Sequence, residues 1–167
     1  TFLKQYQDGG ILPIWELSAN YTGCMIGYHG VSVIADAFVK GIRNYDTALA
    51  FEAIQHSAQQ DKLGLKAYKS KGFIEVSDES ESVSKVLEYA YDDWCIAQMA
   101  KAMGKENVYK TYIERAQFYK NIFNPEVGFM QSKTNGGWSF GFNPAEVNFN
   151  FTEANSWQCS MFVPQDI

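Results

Sequence analysis

The stretch "SVSKVLEYAYDDWCIAQMAKAMGKENVYKTYIERAQFYKNIF", residues 82–123, holds two helical patterns with almost nothing between them. In the first, apolar residues fall at 83, 86, 87, 90, 94 and 97. That recurrence lays a single stripe along a 3.6-residue helix. Ser82 is the expected N-cap and Gly104 the expected stop. The second pattern covers 107–123 with 109, 112, 113, 116, 119 and 123, and Asn124-Pro125 ends it. Only Lys105 and Glu106 separate Gly104 from Asn107, so the two helices must run antiparallel as neighbours.

The same unit recurs upstream. "GVSVIADAFVKGI" (30–42) carries a helical stripe, and "YDTALAFEAIQHSAQQ" (45–60) gives a second helix with Asp46 as its cap. Residues 8–29, with paired glycines and a proline, read as loop. The polar segment 61–82 reads as a connection with only weak strand signals. Residues 124–151 form a long aromatic, glycine-rich loop, a length usually reserved for function. From Thr152, "TEANSWQCSMF" reads as the first turns of another helix capped by Thr152. The layout is mainly α, with elaborate loops.

Composition narrows the partners. The 167 residues are 46% hydrophobic and 20% charged, which is globular protein and not a disordered tail. A net charge of -5 argues against nucleic acid, whose phosphates demand a basic surface. No apolar run has the length of a membrane span. The start, "TFLKQYQDGG", enters mid-pattern as if in the last turn of a helix, which suggests a slice of a longer polypeptide. Aromatic residues reach 16%, suiting either a sugar-stacking cleft or a plain aromatic core. Cys24, Cys95 and Cys159 lack zinc spacing and read as buried apolar residues. The sequons at Asn20 and Asn150 read as chance matches.

One carboxylic acid draws attention. Glu153 sits among Phe149, Phe151 and Trp157, with Asn148, Asn150, Asn155 and Gln158 around it. A general acid near neutrality has to be held protonated, and rings that strip its water do that. The competing reading is a glutamate that satisfies a first helical turn, where the helix dipole favours the anion. Composition divides these two evenly. Asp92 and Asp93 are adjacent on a helix and point about 100° apart, so they cannot share one substrate. The expectation is structural for both, one capping a loop or pairing with a lysine and the other solvated. His29, in "GYHGVSV", is a possible substrate contact or a local cap. Trp15 and Glu16, in "LPIWEL", pair a stacking platform with a carboxylate on a loop, which suits sugar recognition.

Three ordered stretches, "DGGILPIWELSANYTGCMIGYHGVSVIADAFVKGI", "SVSKVLEYAYDDWCIAQMAKAMG" and "FTEANSWQ", resemble successive signatures of glycoside hydrolase family 92. The resemblance runs essentially end to end. It implies calcium-dependent, inverting exo-alpha-mannosidase chemistry on terminal mannose of N-glycans or mannans, with an alpha-1,2 linkage expected. It also implies a bacterial protein that is secreted, periplasmic or at the cell surface. Residues 1–167 would be a fragment of a single (α/α)6 catalytic domain, a partial helical toroid. The motif matching "FTEANSWQ" puts the catalytic acid on Glu153, with Trp15, Glu16 and His29 as substrate contacts. The family's aspartate base and the segment that helps build its calcium site have no counterpart before Ile167, so no metal ligand is assigned here. The isolated chain is therefore expected to be inactive without the remainder of the polypeptide, and its uncovered helix faces are expected to self-associate. Two readings compete with this one: a non-catalytic helical carbohydrate-binding or interaction module, and a helical toroid with lyase or other glycosidase chemistry.

Overall fold

The computed structural model describes residues 1–18 and 20–166. The chain divides into two compact units, residues 1–60 with 92–114 and residues 61–91 with 115–167. In the first unit, α1 (Phe2–Gly9) leads through a two-residue hairpin, β1 (Glu16–Leu17) and β2 (Asn20–Tyr21), to α2 (Gly30–Val39) and α3 (Thr47–Gln59). α2 stops at Val39, three residues short of the sequence pattern, and its Lys40 cap donates its N–H to the carbonyl of Asp36. α3 starts where expected: the Asp46 carboxylate accepts the Leu49 N–H at 2.9 Å, satisfying one of the otherwise orphaned amides of the first turn. α1 and α3 are joined by Tyr6, whose hydroxyl donates to Glu52 at 3.1 Å.

α5 (Ser82–Ala102) contributes its first half to the second unit and its last half to the first. The sequence shows one apolar face, but the helix is covered nearly all round. Before its exposed last two residues, Lys101 and Ala102, only Glu88, Tyr91, Trp94 and Gln98 keep partial exposure, while Ser82, Ser84, Lys85, Asp92 and Asp93 are buried. A helix buried on all sides is a core helix, and its polar residues must find partners inside the protein. Ser82 is not the cap. Its buried hydroxyl has no hydrogen-bond partner among the described residues. The carbonyl of Asn150 accepts from Val83 N instead. Gly104 (φ 68) reverses the chain, and Lys101 Nζ lies 5.5 Å from the Tyr109 ring on α6 (Glu106–Arg115). The second helical pattern therefore ends at Arg115 and continues as a 3-10 turn, Phe118–Ile122.

The second unit contains a helix the sequence did not announce, α4 (Leu65–Lys71). It lies between Gly64 and Gly72, both at positive φ. Both would be read as loop punctuation, yet they serve as helix boundaries. The loop 124–151 is not structureless either. With Phe123, the residue before it, it forms the hairpins β3 (Phe123–Asn124) with β4 (Phe129–Met130) and β5 (Lys133–Thr134) with β6 (Gly137–Trp138). Of the three cysteines, all free, Cys95 is buried as expected but Cys24 is exposed and Cys159 half-buried. The Asn20 side chain lies outside the described residues.

A charged cluster ties the segment after α4 to β5 and β6. Lys71 Nζ reaches Glu75 Oε2 at 2.9 Å and Asp78 Oδ2 at 2.8 Å, and the other oxygen of Glu75 accepts the Gly136 N–H. The hydrogen bond from Lys71 is the main reason both carboxyls are held below their ordinary range, reinforced for Glu75 by Gly136. A carboxyl depressed on folding contributes stability above its unfolded value, and that contribution disappears as pH falls through the folded value. The protection factor of the Gly136 amide, its exchange rate relative to an unstructured peptide at the same pH, is therefore expected to be high at neutral pH and to fall only below the range in which free carboxyls gain protons. Lys71→Met should move that fall up toward the ordinary carboxylate range. A protection factor that is the same at neutral pH and well below the free-carboxyl range would contradict this.

Candidate active site

In the second unit the chain returns to the start of α5 and fastens there. Glu81 N donates to the carbonyl of Phe149 at 2.7 Å, and Val83 N to that of Asn150 at 3.1 Å. Thr152 N donates to Ser84 Oγ at 2.9 Å, and its hydroxyl to Glu81 Oε1 at 2.8 Å. Phe151 is buried at 5% exposure and anchors this return. Thr152 therefore does not cap a helix. The next helix, α7 (Ser156–Cys159), is capped by Asn155, which accepts from Gln158 N while Gln158 accepts from Asn155 N. This reciprocal capping box was legible in "NSWQ", and Thr152 was the wrong choice beside it.

Glu153 lies between these two fastenings. It precedes the helix cap, so the reading in which it satisfies a first helical turn does not hold. Its backbone is left-handed (φ 51), a conformation that costs a non-glycine residue about 1–3 kcal/mol. Its side chain is exposed and has no hydrogen-bond or ion-pair partner among the described residues. The aromatic rings do not enclose it within this chain. Phe151 points into the core, whereas Phe149 is 90% and Trp157 53% exposed. Two open hollows of about 460 and 370 Å³ occur in the same unit, one beside Tyr119 and Met130 and one beside Asp61 and Lys71. Glu153 lines neither. Among the described residues Glu153 is thus a strained carboxylate without a partner, in a stretch whose Phe149 and Trp157 are exposed.

The first unit holds the other sequence candidates. His29 stands at the N-cap of α2, half-buried, with its Nδ1 3.0 Å from Asp92 Oδ1. Asp92 also accepts the Tyr28 N–H at 2.7 Å, and Asp93 accepts the Tyr28 hydroxyl at 2.7 Å. One loop dipeptide, Tyr28-His29, thus binds both helix carboxylates from two directions. The adjacent aspartates do diverge and one does serve a loop, as expected. The expectation that the other is solvated is wrong: both are fully buried, because the loop supplies a tyrosine to the second. Gly27 makes room for this arrangement. At φ 79, a Cβ there would lie 2.5 Å from His29 Nε2. Trp15 is 52% exposed, and Glu16 is exposed on β1. The Trp15 carbonyl accepts from the amide and hydroxyl of Thr22. Sequence reasoning set Asp92 aside as a site residue. The available signal was two adjacent aspartates in the middle of α5, with Tyr89, Ala90 and Tyr91 before them and Trp94, Cys95, Ile96 and Ala97 after.

No group of three or more His, Cys, Asp or Glu side chains that could hold a metal ion occurs among the described residues. Calcium prefers about 6–8 oxygen ligands, so the described residues do not by themselves fit a calcium site. Among the described residues, no helix is long and apolar enough to cross a membrane.

From end to end, residues 1–167 match the Glycosyl hydrolase family 92 catalytic domain, so the chain is a mainly helical segment of a glycoside hydrolase. It belongs to glycoside hydrolase family 92. Among solved structures, a family GH92 alpha-mannosidase from Bacteroides thetaiotaomicron superposes with a TM-score of 0.94 at 40% identity, over 99% of this chain and 23% of that one. That enzyme has also been solved in complex with mannoimidazole. A GH92 inverting mannosidase from the same species matches at 36% identity and a TM-score of 0.88, over 93% of this chain and 22% of that one. An uncharacterized secreted glycosidase from Arthroderma benhamiae is 29% identical over 99% of this chain and 26% of its own length. The chain thus spans about a quarter of the length of these relatives.

Proposed function

We propose that this chain is the acid-bearing segment of an inverting exo-alpha-mannosidase that removes terminal mannose, in alpha-1,2 linkage, from N-glycans or mannans. The observation that carries this reading is the strained, unpartnered Glu153. A left-handed glutamate without a partner among the described residues has no hydrogen bond or ion pair there to offset its strain, and such outliers cluster at functional sites. Glu153 protonates the departing glycosidic oxygen. The exposed Phe149 and Trp157 form apolar surface that the rest of the polypeptide covers, and this closure expels water from the acid. His29, Trp15 and Glu16 are substrate contacts, with His29 oriented through Asp92.

Inversion needs a second carboxylate about 6.5–9.5 Å from the acid, spaced to hold the attacking water. That base lies on a downstream segment of the same catalytic domain, and most of the ligands for calcium lie outside this chain. The domain is an (α/α)6 barrel to which these helices contribute part, and the protein is exported. The reading is tested by assaying the whole protein against alpha-mannosides, alpha-glucosides and uronic-acid polymers, with and without a calcium chelator. Chelator-sensitive release of mannose with inverted configuration is expected. Cleavage confined to uronic polymers or glucosides, or glycan binding with no cleavage, would overturn it.

A further inference from the structure

Glu153 keeps an unfavourable backbone conformation on an exposed turn, and something has to hold it there. The restraint before it is explicit. Thr152, the preceding residue, uses both its polar groups on the first turn of α5: its N–H goes to Ser84 Oγ and its hydroxyl to Glu81 Oε1. Glu81 is itself fixed. Its own backbone is left-handed (φ 56), its N–H is taken by Phe149, and its second oxygen lies 3.7 Å from Lys85 Nζ. The Lys85 side chain is only 5% exposed and bonds Glu79 at 3.0 Å. A buried ammonium flanked by two carboxylates anchors the acceptor that Thr152 needs. The restraint after Glu153 is the capping box of Asn155 and Gln158, and Ser156 Oγ donating to the carbonyl of Met130. Cys159 returns to Ser84, Sγ to Oγ 3.6 Å, so both restraints converge on one serine.

We propose that Thr152 is a positioning residue for the acid: anchored by the Glu81–Lys85 pair and by Ser84, it fixes the peptide from which the Glu153 carboxyl is presented to the glycosidic oxygen. This rests on the reading of Glu153 as general acid. Thr152 touches no substrate and moves no proton. It acts through the backbone, because a peptide fixed on both sides leaves Glu153 only its side-chain torsions to vary. An acid displaced by about 1 Å can lose about 100-fold in rate, so a restraint of this kind has a kinetic signature.

The test separates acid catalysis from general integrity. In the whole protein, Thr152→Val keeps the volume and loses the hydroxyl, and Ser84→Ala loses the acceptor of the Thr152 amide. Each is assayed on an unactivated mannobiose and on a dinitrophenyl alpha-mannoside, whose leaving group departs without a proton. Expected is a fall in kcat of about 10- to 100-fold on mannobiose, a change below about threefold on the aryl mannoside, and restoration by Thr152→Ser. If Thr152→Val does not fold, Ser84→Ala decides. Equal losses on both substrates, or no loss on either, would overturn the proposal. Glu153→Gln is run in parallel. If it lacks the leaving-group dependence, the acid assignment has failed. If it shows the dependence and the other variants do not, only the positioning role has failed.

Discussion

Glu153→Gln in the whole protein is expected to lower kcat on unactivated alpha-mannosides by about 10²–10⁴-fold, the range a positioned general acid supplies. The amide matches the carboxyl in shape but cannot deliver a proton to a poor leaving group. The loss should shrink progressively as the leaving group improves, and nearly vanish for a dinitrophenyl mannoside. KM should change little, because the proton transfer is made only in the transition state. Stability should be unchanged, since Glu153 is exposed and has no partner among the described residues to lose. This last point distinguishes the site from a structural glutamate, whose replacement would show first in unfolding. Turnover of mannobiose within a factor of a few of the native protein would remove Glu153 from the reaction.

The second large effect belongs to Asp92. Replacing it with alanine removes the acceptor of the buried Tyr28 amide and the partner of His29 Nδ1 together. Hydrogen bonds to charged groups contribute about 1.5–3 kcal/mol each, so Asp92→Ala should destabilise the protein by about 3 kcal/mol or more. Denaturant unfolding of the whole protein measures this. Gly27→Ala separates the role in binding from the role in stability. Its Cβ would collide with the His29 ring, which must swing away, while Asp92 keeps its bond to the Tyr28 amide. If His29 contacts the sugar, Gly27→Ala should raise KM well above what its smaller loss of stability explains. An unchanged KM would make the Tyr28–His29–Asp92 assembly purely a support for α2 and α5.

The family resemblance read in the sequence motifs extends along the chain, as the match over residues 1–167 bears out. Local signals were legible to the extent that their physics is local. The Asp46 cap works within three residues, and it appears as read. The capping box at Asn155 is equally local, and by residue type Asn is the stronger cap than Thr152. α4 was missed because seven residues between two glycines give too few turns for a period to register. The two-residue strands of the 124–151 loop are shorter than any alternation can reveal.

By itself, the order of residues determined the helix pairs, their turn at Gly104 and the motif that carries Glu153. Periodicity and turn chemistry are properties of neighbours along the chain. Only the tertiary structure decided that both aspartates of α5 are buried, since their partners arrive from residue 28, 64 and 65 positions away. It also decided that Glu153 stands strained and open on its turn, fastened next door through Thr152 to residues 68 and 71 positions upstream. A hydrogen bond over such a separation depends on where packing has carried both ends, and no spacing in the sequence encodes that.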